Sequence, residues 1–324
     1  MHKIPLFFAI IAAALALFVV GCLSDRSSAE DAQGEPKKVV LIAGKKSHGS
    51  GEHEFNAGSI LLARALNEQS GLPVEVEVVH DGWPEDHSVF DGVDAIVIYS
   101  DGLGSHPAGE NWEFLDGLMK QGVGLMLMHF AVHVRPGEEG ERLMRWTGGF
   151  YEDDYSVNPH WTADTEPNAA HPVGNGVAPV KVHDEWYFNI RFTEPATHTH
   201  LLTATPSYDR IRHYNAWHKK AQDALDIPQT LMWGVEREDG GRGVGFTGGH
   251  WHYNWAIEDY RRTVLNAIVW VAGLDVPQGG VQSLPLTEED LNENLDEKRV
   301  MRPVSLPGDH NFDFEPAEAR VIEE

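Results

Sequence analysis

Short unbroken apolar runs, separated by amphipathic stretches, organise this chain. Residues 38–44 (KVVLIAG), 93–102 (VDAIVIYSDG) and 124–130 (GLMLMHF) are apolar at successive positions, as in strands buried on both faces. Residues 73–80 (PVEVEVVH) alternate instead, which predicts a strand with one polar face. Between these runs, 54–71 carries Phe55, Ile60, Leu61 or Leu62, and Leu66 at helical spacing before Gly71. Residues 111–122 likewise set Trp112, Leu115, Leu118 and Met119 on one helical face. Strands alternating with helices predict right-handed parallel crossovers: a flavodoxin-like α/β fold, its mostly parallel sheet covered by helices on both faces. The second half is less regular. Residues 179–192, 199–206, 229–236 and 241–251 read as further strands, and 257–274 as an amphipathic helix ending at Gly273. Nothing between 38 and 274 reads as a linker, so one domain is expected there. A Pro/Gly-rich and then acidic arm follows over 275–324, either lying extended on the domain or partly disordered.

Residues 1–22 stand apart from this pattern. A basic start precedes an apolar stretch from Ile4 to Val20, and the segment ends in VVGC, which predicts a secretory signal. A small residue directly before Cys22 resembles the bacterial lipobox, whose cysteine is lipidated and becomes N-terminal after cleavage. Cys22 is also the chain's only cysteine, which lipidation would explain better than a disulfide framework. The stretch is near the minimum length of a membrane-spanning helix, so an uncleaved anchor is the competing expectation. Residues 23–37 are small and polar and are expected to tether the domain. The protein is thus expected to be exported and held by an N-terminal lipid at a bacterial membrane, facing the periplasm or the exterior. A formal net charge of −25 makes nucleic acid an unsuitable partner, because phosphates would be repelled.

In parallel sheets the working residues collect beyond the carboxyl ends of the strands. Ser47 and His48 follow the first strand, Ser100 and Asp101 follow the third, and His129 ends the fourth. His129 stands at the elbow where a nucleophile could sit, but the chain has no thiol there, so a Cys-dependent amidotransferase or protease mechanism is excluded. In TGGHWHYNW (247–255), His250 and His252 would point to one side of an extended segment and could reach one ion. In VHDEWYF (182–188), Asp184 and Glu185 interrupt an apolar strand. They point to opposite faces, so one of the two is expected to reach a pocket, as base, ligand or orienting group. The glycine-rich SHGSGEH (47–53) could lean His48 and His53 over that pocket; its spacing is neither a Walker motif nor GxGxxG. His160 could belong to the pocket wall. Trp161, Trp186, Trp251 and Trp255 are candidate stacking surfaces for a sugar face, with core packing as the bland alternative for each.

Together, VLIAGKKSHG, GVGLMLMHFA, HPVGNGVAPVKVHDEWY and GFTGGHWHYNW resemble the ThuA-like (trehalose utilisation) family over about residues 38–274. The resemblance implies a class I glutamine amidotransferase-like fold without the nucleophilic cysteine, and a link to disaccharide or 3-keto-sugar catabolism. The expected function is a carbohydrate-processing enzyme, hydrolytic or lyase/isomerase-like, acting on a small-molecule sugar. In this reading His129, Asp184 and Glu185 are catalytic, and His48, Ser100, Asp101, Trp186 and Trp251 bind substrate. His129, His250 and His252 are the candidate ligands of a divalent metal. The competing expectation is a non-catalytic carbohydrate-binding or scaffolding lipoprotein on the same fold.

Overall fold

A computed structural model describes residues 35–211 and 219–308. The leader with Cys22, most of the tether and the last part of the arm lie outside these residues. Among the described residues nine strands form one sheet: β1 (Lys37–Ala43), β2 (Val74–Val79), β3 (Ala95–Tyr99), β4 (Gly124–Met128), β6 (His160–Pro167), β7 (Val180–Glu185), β9 (Thr199–Ala204), β10 (Gln229–Glu236) and β11 (Arg242–Phe246). Two short strands, β5 (Gly149–Phe150) and β8 (Arg191–Phe192), pair separately. The sheet order is β2-β1-β3-β4-β11-β10-β9-β6-β7. The first five strands of that order are parallel, and the remaining ladders are antiparallel.

The α/β architecture follows from the alternation of runs, but half of the sheet is antiparallel. The reason is connection length. Residues 237–241 join β10 to β11, too few for a crossover, so the chain returns as a hairpin.

Side-chain alternation along β1 divides the core. Val39, Leu41 and Ala43 pack with Leu61 and Leu62 of helix α1 (Phe55–Arg64) and with Val264 and Ile268 of a long C-terminal helix (Glu258–Val271). Val40 and Ile42 face the other way, toward Leu115 and Met119 of α2 (Trp112–Met119) and Leu143 of α3 (Glu138–Trp146). The long helix is α4 in chain order among these core helices. Helices therefore cover both faces of the parallel half, which explains why β1, β3 and β4 are apolar at successive positions.

Two predicted strands end early. The run 179–192 leaves the sheet after Glu185, and 241–251 leaves it after Phe246. The second departure has a local cause: Gly248 lies so close to the Trp186 ring that a Cβ would stand 2.6 Å from it, and Gly249 has φ +116°. Beyond α4 the arm packs on the domain, burying Val281, Leu291 and Val304 in the same core as α1 and α4. Among the described residues no helix is long and apolar enough to cross a membrane.

Gly243 on β11 shows how tightly this sheet meets its helices. A Cβ there would stand 1.8 Å from the backbone oxygen of Trp146. Gly243→Ala should cost about 1–3 kcal/mol or more in urea unfolding, because backbone rather than a flexible side chain has to move.

Candidate metal centre

Four loops meet at the carboxyl ends of the parallel strands. The loop after β1 carries His48 and His53, β3 is followed by Asp101, β4 by His129, and β11 by Thr247–His250. His48, His53 and His129 all have positive φ (56°, 46° and 58°). Non-glycine residues hold that conformation at a cost, and such strain collects at functional sites. A backbone bridge fixes two of the loops against each other: the His53 N–H donates to the His250 carbonyl at 3.0 Å, and the His252 N–H to Gly51 at 2.9 Å.

The imidazoles converge. His53 Nε2 lies 3.0 Å from His129 Nε2 and 3.0 Å from His250 Nδ1. The fourth member is Glu185, at the end of β7, whose Oε2 is 3.2 Å from His250 Nδ1 and 3.4 Å from His129 Nε2. All four donor atoms lie within 4.8 Å of one another, and the three rings are buried.

Outer partners settle which nitrogens face inward. The Thr247 carbonyl, 3.0 Å from His129 Nδ1, can only accept, so Nδ1 carries the hydrogen and Nε2 faces the cluster. The Asp101 carboxylate, 2.8 Å from His53 Nδ1, does the same for His53. Lone pairs at 3.0 Å repel unless a cation or a proton lies between them. In a tetrahedral site with metal–nitrogen bonds of about 2.0–2.1 Å, donors are about 3.3 Å apart, close to the four separations just given, and the other two pairs lie within 4.8 Å. An oriented imidazole set with one carboxylate suits a first-row divalent ion such as zinc better than calcium or magnesium.

The charges of the metal-free cluster agree. Burial opposes protonation of His129, but Glu185 outweighs it and raises the His129 pKa. Burial would also raise the Glu185 pKa, yet hydrogen bonds from His129 and His250 hold it well below the usual carboxylate range. His53 is pushed far down, first by burial and then by the positive field of His129 and His250, and is neutral. The raised His129 and the lowered Glu185 have one cause, the attraction between positive charge on the imidazole side and negative charge on the carboxylate.

Asp184 plays a different part from Glu185. Its carboxylate is fully buried and accepts from the Gly249 N–H (2.9 Å), the His250 N–H (3.1 Å), the Glu185 N–H (2.9 Å) and the Tyr260 hydroxyl (2.6 Å). It anchors backbone and leaves the cleft to Glu185.

The other anticipated residues divide. His48 is exposed at the mouth, stacked on His53 with centroids 3.6 Å apart. Trp251 borders the cluster, its ring 4.9 Å from that of His250. His160 stands in the wall, its Nε2 3.8 Å from Glu185 Oε1. Ser100 is fully buried and spends its hydroxyl on the Asp101 carbonyl, so it is withdrawn from substrate. Trp186 is also withdrawn: it is fully buried against Phe246 and Tyr260, with its indole N–H on the Val182 carbonyl. Trp161 and Trp255 are core residues too.

His252 does not join His250. The expected extended segment gives way to a tight helical turn over His252–Ala256, which buries the His252 ring away from the cluster. Burial lowers its pKa to about 4.

Two neighbours of the cluster carried no signal in the sequence. Tyr187 places its hydroxyl 3.5 Å from His129 Nε2 and 3.4 Å from Glu185 Oε2, and burial, reinforced by Glu185, raises its pKa well above the ordinary phenol value. Asn158 donates to Glu185 Oε1 at 2.9 Å. His53 was visible only as part of a glycine-rich loop, yet it is the hub of the cluster.

Asp184→Ala should cost about 3–5 kcal/mol in urea unfolding, since it strands three peptide N–H groups and a buried phenol. Asp101→Asn should instead leave unfolding nearly unchanged and weaken zinc binding by about 10–100-fold in competition with a chromophoric chelator.

The family model described as ThuA, trehalose utilisation, matches residues 39–271. No curated protein matches the chain. Among solved structures, a ThuA-like protein from Bacteroides uniformis is 16% identical, with 74% of this chain and 94% of that one covered, at a TM-score of 0.53. One from Parabacteroides merdae is 18% identical, covering 80% of this chain and 100% of its own, at a TM-score of 0.51. At these identities the two structures speak for the fold, and the family match spans most of the sequence: the chain belongs to the ThuA family.

Proposed function

We propose that this protein is a sugar-processing enzyme that works through a divalent metal held by His53, His129, His250 and Glu185. The observation that carries the reading is the convergence of three buried imidazoles and one carboxylate, with neighbouring donor atoms 3.0–3.4 Å apart. The family's description, trehalose utilisation, and the aromatic border made by Trp251 support a carbohydrate as substrate.

When bound, a divalent ion would supply Lewis acidity toward a carbonyl or hydroxyl oxygen and acidify water. The chain's own groups do the rest. Asp101 and the Thr247 carbonyl hold His53 and His129 in the ligating tautomer. Tyr187 stays a neutral phenol and offers its proton as a hydrogen bond to an oxygen bound over the cluster. His48, exposed at the mouth with Asp101 3.8 Å from its Nδ1, is placed to take or return a proton at the open side. This set suits hydrolysis or proton abstraction beside a keto group. Residues 1–22 further lead us to propose export and lipid attachment at Cys22.

The purified chain should carry close to one equivalent of divalent metal, measured by plasma mass spectrometry, and turn over a 3-keto-disaccharide. His129→Ala and Glu185→Gln should each lose most of the metal and at least about 100-fold in kcat/KM. A metal-free chain whose sugar binding is untouched by His129→Ala would make it a binding protein instead. Expressed with its leader in a bacterial host, the chain should take up radiolabelled palmitate, and Cys22→Ser should not.

A further inference from the structure

The arm beyond residue 274 lies outside the stretch that matches the family, yet it is fastened to the loop that carries His48 and His53. Lys298 is buried, and its ammonium donates to the backbone carbonyls of Ser47, Glu52 and His53. The Asp296 N–H donates to Glu54 at 2.8 Å, and Asn56 donates to the Asp296 carboxylate at 3.0 Å. The Ser50 hydroxyl donates to the Arg302 carbonyl at 3.1 Å and accepts from the Arg302 N–H at 2.9 Å. An ammonium satisfied by three carbonyls is a built contact, because a buried cation without such partners would be costly.

Between arm and loop lies a cavity of about 380 Å³, whose lining includes Ser50, Trp251, Tyr253, Arg302, Val304 and Ser305. The Trp251 and Tyr253 rings are stacked, 20° apart in plane with centroids separated by 5.7 Å, and give the cavity an aromatic flank. Arg302 and Ser305 add hydrogen-bonding groups from the arm. The volume is at the low end of small-ligand pockets, about 300–1,000 Å³, which suits one ring more than an extended chain. Trp251 belongs to both places: it lines this cavity and its ring lies 4.9 Å from His250 and 5.8 Å from His160.

We propose that this cavity is a second saccharide subsite contributed by the arm. It takes the sugar ring that does not sit at the metal centre, so the chain prefers a disaccharide to a monosaccharide. The proposal rests on the sugar-processing reading above. A pyranose presents an apolar C–H face to an aromatic ring and hydroxyl edges to the guanidinium and Ser305, which matches the lining. An anionic ligand would meet a single arginine against a chain of net charge −25.

The test is isothermal titration of the full, metal-loaded chain with trehalose and with methyl α-glucoside, repeated for Ser305→Trp and Arg302→Ala. Both substitutions are at exposed positions, and thermal melting checks that the variants fold. Wild type should bind trehalose about 10-fold tighter than the glucoside, and either substitution should bring that ratio close to one. Equal affinity of wild type for the two sugars, or a preference that survives the tryptophan, overturns the subsite and leaves the sugar reading standing. If wild type binds neither sugar, the subsite falls, and turnover of the 3-keto-disaccharide decides the sugar-processing reading separately.

Discussion

The Asp184 carboxylate ties the far edge of the sheet to the segment after β11, and the donor cluster exists because of that tie. Three strands separate β7 from β11, so no ladder brings Glu185 beside His250. Asp184 does so by accepting from two successive peptide N–H groups, those of Gly249 and His250. The positive φ of Gly249 belongs to this turn, which makes a small anion-binding concavity of backbone donors. A fully buried carboxylate would be very costly alone; here the peptide N–H groups and the Tyr260 hydroxyl take the place of water. The neighbouring residue, pointing to the other face of the strand, is then delivered to the imidazoles.

The cluster itself is over-determined from outside. Asp101 and Thr247 each accept the hydrogen that would otherwise leave the tautomer of His53 or His129 undecided. Asn158 and Tyr187 hold Glu185 from its other side. On the metal reading proposed above, such second partners would orient the ligands in advance and lower the reorganisation needed on binding. The strained backbone at His48, His53 and His129 is consistent with a site whose geometry is imposed by the fold rather than chosen locally.

Much of the frame was legible in the chain's own pattern. The continuous runs marked β1, β3 and β4, and their ends marked His48, Asp101 and His129 as neighbours on one rim, because strand direction in a parallel sheet puts those ends together. The period of two also showed that Asp184 and Glu185 face opposite ways. It could not show which one meets the cleft. The same period carried past Gly248 and Gly249 puts His252 beside His250, but the backbone stops being extended at those glycines. Trp186 and Trp251 look alike in sequence, yet one fills the core and the other borders the site.

Residue pattern by itself determined the local matters: which stretches are strands, which face of each is apolar, and which polar residues wait at the strand ends. These depend on a side chain's relation to its own element, and a short window of sequence encodes that relation. The identity of the fourth donor, the roles of Tyr187 and Asn158, and the seat of the arm on the His48–His53 loop were decided by tertiary structure. Each depends on contacts between segments distant in the chain, such as Asp184 with Gly249 or Lys298 with Ser47, and those form only when packing brings the elements together.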